Sequence, residues 1–394
     1  MQPTRETPDS APTIALLPWG DVYEDFLDMI GMSVEVFCRE MRGGWLFNYV
    51  DALRLSGVRS IIVIVSARAS KPSRVQHPPT GTTICILPAP KIYRAVRAML
   101  GWIQNRLRRN GQEAARSFPG ERRVLGPLSR VLREIAPYLA TPLVPLAREL
   151  RREVCGVILC QEYEYPRFDA CVLLGRLMRI PVFASFQGGD FRLGSLEQLV
   201  RAPAIRASAG LIIGSRVEVE RVRARYHVPI TKIAYIFNPF DLSDWGDADR
   251  ASARTELGIP DSARVAVWHG RVSIRPKGLD VLLDAWRRVV AARPGAALRL
   301  VLIGTGSEAP QLHQKIDAQR IEGIVWIDRY VLDRALLRQY LAAATRHPPA
   351  IAPTTRYGST PDRTASGRGV SGGSCERSCS HAKNLTKGRR RWVA

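Results

Sequence analysis

Two basic residues stand where a predicted strand ends and a predicted helix begins. An apolar run over residues 264–268 predicts the strand, and Arg271 follows it closely. Lys277 opens a helix predicted over residues 278–293. Anions bind both at the carboxyl edge of an open α/β sheet and at the amino end of a helix. A guanidinium and an ammonium group that converge there would bind a diphosphate. The alternative is a pair of solvated surface cations.

Glycines accompany these two cations. Gly270 precedes Arg271, and Gly304 and Gly306 follow a second strand, predicted over residues 298–303. Because glycine has no side chain, it lets the backbone turn tightly and lets a ligand approach closely. The second pair therefore indicates either a nucleotide beside the backbone or an ordinary strand-to-helix turn.

Strands and helices alternate along the chain and must position these residues. The clearest strand covers residues 58–66, where five consecutive positions hold isoleucine or valine. Nearly continuous apolar strands that alternate with helices are typical of parallel sheets with helices on both faces. We therefore predict an α/β protein. Residues 21–42 are predicted to be mainly helical.

The length of 394 residues predicts two domains, at about 150 residues each. We predict a first domain over residues 1–238 and a second over residues 239–344. After Ala344 the apolar pattern stops, because the last 50 residues hold four from the Ile, Leu, Val, Phe and Met set. So few apolar residues cannot complete a core. Residues 345–394 are predicted to be a disordered basic tail, and an out-of-frame reading explains this loss of pattern better than a native tail.

Positive charge is concentrated in two stretches of a chain whose net charge is +22. Residues 91–152 contribute +10 and residues 345–394 contribute +8. No zinc-finger spacing or other recognition motif accompanies the charge, so we expect no nucleic-acid partner. Within residues 91–109, apolar residues recur at helical spacing among arginines, which predicts an amphipathic basic helix. Such a helix indicates either peripheral contact with an anionic membrane or a solvated basic face.

The ordered motifs resemble those of glycosyltransferase family 4, the group 1 glycosyltransferases. The resemblance covers about residues 11–344, and its motifs are Arg42-Gly43-Gly44-Trp45, Asn238-Pro239-Phe240-Asp241, Gly270-Arg271, Lys277-Gly278-Leu279-Asp280 and Gly304-Thr305-Gly306. It implies the GT-B fold, in which two Rossmann-like domains face a cleft, with the second domain incomplete here. In that arrangement Arg271 and Lys277 would bind the donor pyrophosphate, while Gly43 and Gly44 would lie near the donor and acceptor.

The resemblance also implies a reaction. A sugar would pass from a nucleoside diphosphate donor to a saccharide, lipid or other acceptor with retention, in the synthesis of cell-surface glycans or glycoconjugates. We expect no metal or other cofactor, with the nucleotide sugar as co-substrate. The polar start and seven irregularly spaced cysteines predict a cytoplasmic location, with peripheral contact at the inner membrane face as the alternative to a freely solvated protein.

Three features depart from the family pattern. About twenty residues separate the first strand from Gly43, and the loop that matches a family histidine has none. Loops around Glu162 and Asp190 offer carboxylates instead, which would lie either in the cleft or in solvated loops. The family's paired glutamates are missing after Ala344, where Glu376 is the one glutamate. The alternative function is therefore an inactive remnant that at most binds a nucleotide or a partner.

Overall fold

The computed structural model describes residues 12–112, 119–188, 194–245, 248–345 and 392–393. Within these ranges the chain forms two parallel sheets flanked by helices, followed by a two-residue pairing near the end. None of the helices in these ranges is long and apolar enough to cross a membrane.

The first unit is built on an eight-stranded sheet in the order β3-β4-β2-β1-β5-β6-β7-β8. All neighbouring strands are parallel except β3, which pairs antiparallel with β4 at one edge. The strands are β1 Thr13–Leu17, β2 Ser60–Ser66, β3 Ser73–Gln76, β4 Thr83–Pro88, β5 Cys155–Gln161, β6 Val182–Ser185, β7 Gly210–Ile212 and β8 Ile233–Ala234.

Helices cover both faces of this sheet, which is why all seven residues of β2 are buried. One apolar core packs beneath α3 and another packs beneath α7 and α8. The helices are α1 Glu24–Met29, α2 Val34–Arg39, α3 Gly44–Leu55, α4 Lys91–Gln112, α5 Pro119–Leu139, α6 Leu143–Arg152, α7 Pro166–Met178, α8 Ser195–Ala207 and α9 Arg216–Tyr226.

The second unit has a three-stranded parallel sheet in the order β10-β11-β12. Short 3-10 turns at Ile230–Lys232 and Leu242–Trp245 flank the connection between the units, which also holds β9, Phe240–Asp241. The strands are β10 Arg264–His269, β11 Leu298–Ile303 and β12 Ile324–Ile327, and the helices are α10 Arg250–Glu256, α11 Leu279–Ala291, α12 Ala309–Ala318 and α13 Arg334–Ala342. The boundary predicted at residue 238 falls between β8 and β10.

Two sequence predictions need correction here. The helix predicted over residues 21–42 is two short helices, because Gly31 takes a left-handed φ of +67° and ends the first of them. Thr345, placed in the predicted disordered tail, is instead held against β10. Its N–H donates to Val265 O at 3.0 Å, and its hydroxyl accepts from Val265 N at 2.8 Å. Thr345 therefore lies beside β10.

The rest of the predicted tail lies outside the described residues, except for Trp392–Val393. This pair forms β13 and pairs antiparallel with β9.

Candidate active site

The loops that follow β1 and β10 face each other across a cleft between the two units. Arg271, two residues after β10, places its guanidinium carbon 6.0 Å from the centre of the Trp19 ring. The same guanidinium donates to Met29 Sδ at 3.8 Å. A thioether is a weak acceptor, so the strong donors of Arg271 remain suited to an anion. The carboxyl edges of the two sheets therefore meet at one place.

A cavity of about 380 Å³ lies at this junction. It brings together residues from both units that the sequence assigned to the site. Among those that line it are Gly44, Trp45, Gly270, Arg271, Gly304 and Arg334. Arg271, Gly270 and Gly304 therefore line one cavity together with residues of the first unit.

Backbone hydrogen bonds hold the loop that carries Arg271. Gly270 N donates to Ile303 O at 3.0 Å, and Val272 N donates to Thr305 O at 2.9 Å. A carboxylate that the sequence reasoning missed completes the support, because Ile274 N donates to Glu308 Oε2 at 2.7 Å. The position of Arg271 is thus set from the neighbouring strand and from the start of α12.

Lys277 occupies a different position from Arg271. It is exposed and stands just before Gly278, the left-handed N-cap of α11. Lys277 is not one of the described residues that line the cavity beside Arg271. The helix start predicted there is present, but the structure places the two cations at separate points of the loop.

Packing accounts for two of the predicted nucleotide-proximal glycines. A Cβ atom on Gly304 would overlap Gly270 O, and one on Gly306 would overlap Val272 O. Gly304 also has a positive φ of +128°. These glycines let the turns after β10 and β11 touch through their backbones. Gly304 lines the cavity as well, whereas Gly306 lies behind the Arg271 loop.

Gly43 and Gly44 form the amino end of α3, with φ values of +66° and +60°. The space that a Cβ on Gly43 would take is filled by the guanidinium of Arg334. Arg334 belongs to the second unit and donates to Asn48 Oδ1 at 2.9 Å. Asn48 in turn donates to Pro239 O at 2.9 Å. Arg334 of the second unit therefore packs against the glycine pair at the amino end of α3. Nothing in the local sequence predicts this contact.

Glu162 follows β5 and is 3% exposed, so it does not belong to a solvated loop. Its backbone φ is +97°, which is strained for a residue with a side chain. Its carboxylate accepts from Gln187 N at 3.2 Å and from Glu164 N at 3.3 Å. Burial nevertheless raises the pKa of Glu162 to about 7. Glu162 therefore joins the turn after β5 to the loop after β6, and Asp190 lies outside the described residues.

Comparison with known proteins follows the same division into units. Residues 263–347, which cover the second unit from β10 onward, match the family described as glycosyl transferases group 1. The resemblance predicted from the motifs is thereby confirmed.

Curated relatives match the chain over short stretches. The D-inositol 3-phosphate glycosyltransferase of Segniliparus rotundus is 33% identical over 114 residues, which are 28% of this chain and 24% of the relative. The protein of the same name from Rhodococcus erythropolis is 30% identical over 121 residues, 30% of this chain and 27% of that relative. The matched part thus spans about a quarter of the length of these relatives.

Solved structures resemble the chain over most of its length. HepE of Anabaena, solved with UDP and glucose, has a TM-score of 0.53 at 14% identity, covering 84% of this chain and 72% of HepE. The α,α-trehalose-phosphate synthase (UDP-forming) of Burkholderia vietnamiensis has a TM-score of 0.50 at 12% identity, with coverage of 85% and 82%. At such identities the likeness establishes the fold alone. The chain therefore has the GT-B fold, and its residues 263–347 carry the similarity to group 1 glycosyltransferases.

Proposed function

We propose that the chain acts as a glycosyltransferase that takes a sugar from a nucleoside diphosphate donor. The observation that carries the proposal is the placement of Arg271 in the cleft between the two sheets, stacked on Trp19 and held by the β11 turn. The confirmed family resemblance and the UDP in the Anabaena structure support the same donor class.

Arg271 would stabilise the charge that develops on the departing diphosphate. Preorganised donors in a partly dry cleft are effective at this task because they need no reorganisation during the reaction. Lys277 and the amino end of α11 would contribute further positive potential at the edge of the site. Retention at the anomeric carbon is part of the proposal and is supported by the family resemblance. No step here depends on a metal ion.

The donor assignment can be tested by nucleotide binding. Arg271→Ala should weaken binding of UDP or GDP about ten- to a hundredfold, the value of a charge-assisted hydrogen bond. Arg275→Ala is the matched control, because Arg275 carries the same charge on the same loop and is exposed. Isothermal titration calorimetry measures both. Equal losses in the two variants would indicate a diffuse basic surface and would contradict the assignment.

A turnover assay distinguishes an enzyme from a remnant that binds a nucleotide but transfers no sugar. The remnant is worth testing because the sequence lacks the paired glutamates of the family after Ala344. Release of nucleoside diphosphate from a nucleotide sugar, measured on the whole chain, would support the enzyme. Binding with no release of product would favour the remnant.

We also propose peripheral contact with anionic membranes through the basic region 91–152. On α4 and α5, apolar side chains point away from the core and are exposed beside exposed arginines. These are Ile92, Met99, Trp102, Val131 and Ile135, with Arg106, Arg130 and Arg133. Apolar insertion combined with attraction to anionic lipid is the usual basis of such binding. A lipid-linked acceptor would be consistent with this location.

A further inference from the structure

A buried arginine lies behind the loop that brings Trp19 to Arg271. Arg167 is the second residue of α7, and 6% of its surface is exposed. Its Nη1 donates to Pro18 O at 2.6 Å, and its Nη2 donates to Asp21 O at 2.6 Å. Arg167 therefore bridges the two ends of the loop over residues 18–21, which follows β1.

This position is unfavourable for a charged side chain. Arg167 stands in the first turn of α7, where the helix dipole disfavours a cation. Burial lowers the pKa of Arg167. Its Nη atoms donate to backbone carbonyls rather than to a carboxylate, and its Nε has no hydrogen-bond partner among the described residues. A buried charge that is not neutralised by a paired group costs stability. Packing alone therefore does not account for an arginine at this position.

The loop that Arg167 holds carries Trp19, which connects the first unit to the second. The Trp19 ring centre lies 6.0 Å from the guanidinium carbon of Arg271. It also lies 6.1 Å from the ring centre of Tyr165, at the start of α7, and 5.6 Å from that of Phe26 in α1. A guanidinium that rests on an aromatic face is attracted to it and takes its orientation from it. The direction of Arg271 therefore depends on where the loop holds Trp19.

The shape of the arginine side chain suits this task. A guanidinium is planar and presents its N–H donors as a rigid fork, so one group can hold two acceptors at once. An ammonium is a compact point charge on a flexible stem, so it cannot reproduce that fork. Replacing Arg167 by lysine should therefore free one of the two carbonyls and loosen the loop.

We infer that Arg167 is a positioning residue for the donor site. It fixes the loop over residues 18–21, the loop places Trp19, and Trp19 orients Arg271. Arg167 itself is not one of the described residues that line the cavity beside Arg271. The link to the donor rests on the proposed function, whereas the link from Arg167 to Trp19 and Arg271 rests on the contacts alone.

Fluorine NMR of the whole chain, labelled with fluorinated tryptophan, follows Trp19 directly. Its resonance is the one that disappears in Trp19→Phe. The resonance should shift in Arg271→Ala, which removes the guanidinium beside the ring. It should also shift in Arg167→Lys and in Arg167→Gln. The glutamine variant covers the case in which lysine does not fold, because its amide can hold one carbonyl without burying a charge.

UDP binding, measured by isothermal titration calorimetry, gives the consequence for the site. Arg167→Lys should weaken UDP binding about three- to tenfold, the scale of one cation–π contact. Trp19→Ala should weaken it by a similar factor. In the Trp19→Ala background, Arg167→Lys should have no further effect, because Arg167 acts through Trp19. A general loss of stability would instead lower the UDP affinity equally in both backgrounds.

Arg254→Lys is the matched control. Arg254 is 2% exposed and also bridges two backbone carbonyls, those of Ala343 and Asp261. It belongs to α10 in the second unit and therefore does not hold the Trp19 loop. Arg254→Lys should lower the free energy of unfolding, but it should leave the Trp19 resonance and the UDP affinity unchanged.

The outcomes separate this inference from the proposed function. A Trp19 resonance that stays in place in both Arg167 variants would overturn the inference, as would an equal shift in Arg254→Lys. Additive losses of UDP affinity for Arg167→Lys and Trp19→Ala would also overturn it, while leaving the donor proposal intact. A chain that shows the expected shifts but binds no UDP would refute the donor proposal and leave Arg167 as the residue that positions Trp19 against Arg271.

Discussion

Replacing Gly43 by alanine should disrupt the contact between the two units at the start of α3. Gly43 has a φ of +66° and a ψ of −142°, a combination that only glycine adopts readily. The added Cβ would also overlap the Arg334 guanidinium, which donates to Asn48. Since the end of a flexible side chain can move aside, the cost is the loss of its bond rather than a rigid clash.

The size of the effect follows from these two contributions. The backbone conformation costs alanine about 1–3 kcal/mol. Loss of a charged, partly buried hydrogen bond costs about 1.5–3 kcal/mol. Gly43→Ala should therefore lower the free energy of unfolding by about 3–5 kcal/mol. Gly44→Ala is the matched control, because Gly44 also has a positive φ but has open space around its Cβ position. It should cost about 1–2 kcal/mol.

Urea unfolding followed by circular dichroism measures both variants, and Arg334→Ala completes a double-mutant cycle. In the Arg334→Ala background, Gly43→Ala should retain only its backbone cost, so the two substitutions should be coupled by about 1.5–3 kcal/mol. The reasoning would be refuted by equal losses for Gly43→Ala and Gly44→Ala, or by additivity in the cycle.

Three further perturbations test other parts of the structure. The pKa of Glu162 is raised to about 7 by burial, so its charge destabilises the fold above that pH and the cost disappears as the pH falls towards 4.5. The free energy of unfolding of Glu162→Gln should therefore rise by about 2–3 kcal/mol relative to that of the wild type when the pH is raised from 5 to 8. Urea unfolding at each pH measures this difference. Trp102→Glu should reduce sedimentation of the protein with anionic vesicles. Val154→Glu is the control and should not reduce it, because Val154 is also exposed and apolar but lies outside α4. An equal loss of sedimentation in both variants would exclude α4 from the proposed membrane surface. Glu308→Ala should weaken UDP binding several-fold, because Ile274 N loses its hydrogen-bond acceptor. Glu308→Gln keeps an acceptor oxygen and should preserve UDP binding. Equal weakening in both variants would show that the charge of Glu308 matters instead.

The parallel strands and the position of Arg271 could be predicted because their signals are local. Continuous apolar runs identify β2 and β11, and the residue that follows a parallel strand must lie at the carboxyl edge of the sheet. That reasoning placed Arg271, Gly270 and Gly304 in one cleft without any knowledge of their contacts.

Short and irregular elements left weaker signals. Strand β3 has four residues, none of them buried, because it pairs only at the edge of the sheet. The amphipathic helix predicted over residues 91–109 exists, but its apolar residues divide between two directions. Ile103 packs into the interior, whereas Ile92 and Met99 are exposed. A single apolar stripe predicted from spacing alone does not distinguish a core face from an outer surface.

The aromatic side of the cleft could not be predicted, because it depends on contacts between residues that are distant in sequence. Trp19 meets Arg271 from 252 positions away, and Asn48 meets Arg334 from 286. No periodicity relates such pairs, so Trp19 and Tyr165 read only as turn residues after their strands. Once the two sheets face each other, however, these loops must meet, because each follows a strand at the carboxyl edge of its own sheet. The cation of the second unit then reaches the aromatic rings of the first, so the cleft is built from loops that lie far apart in the sequence.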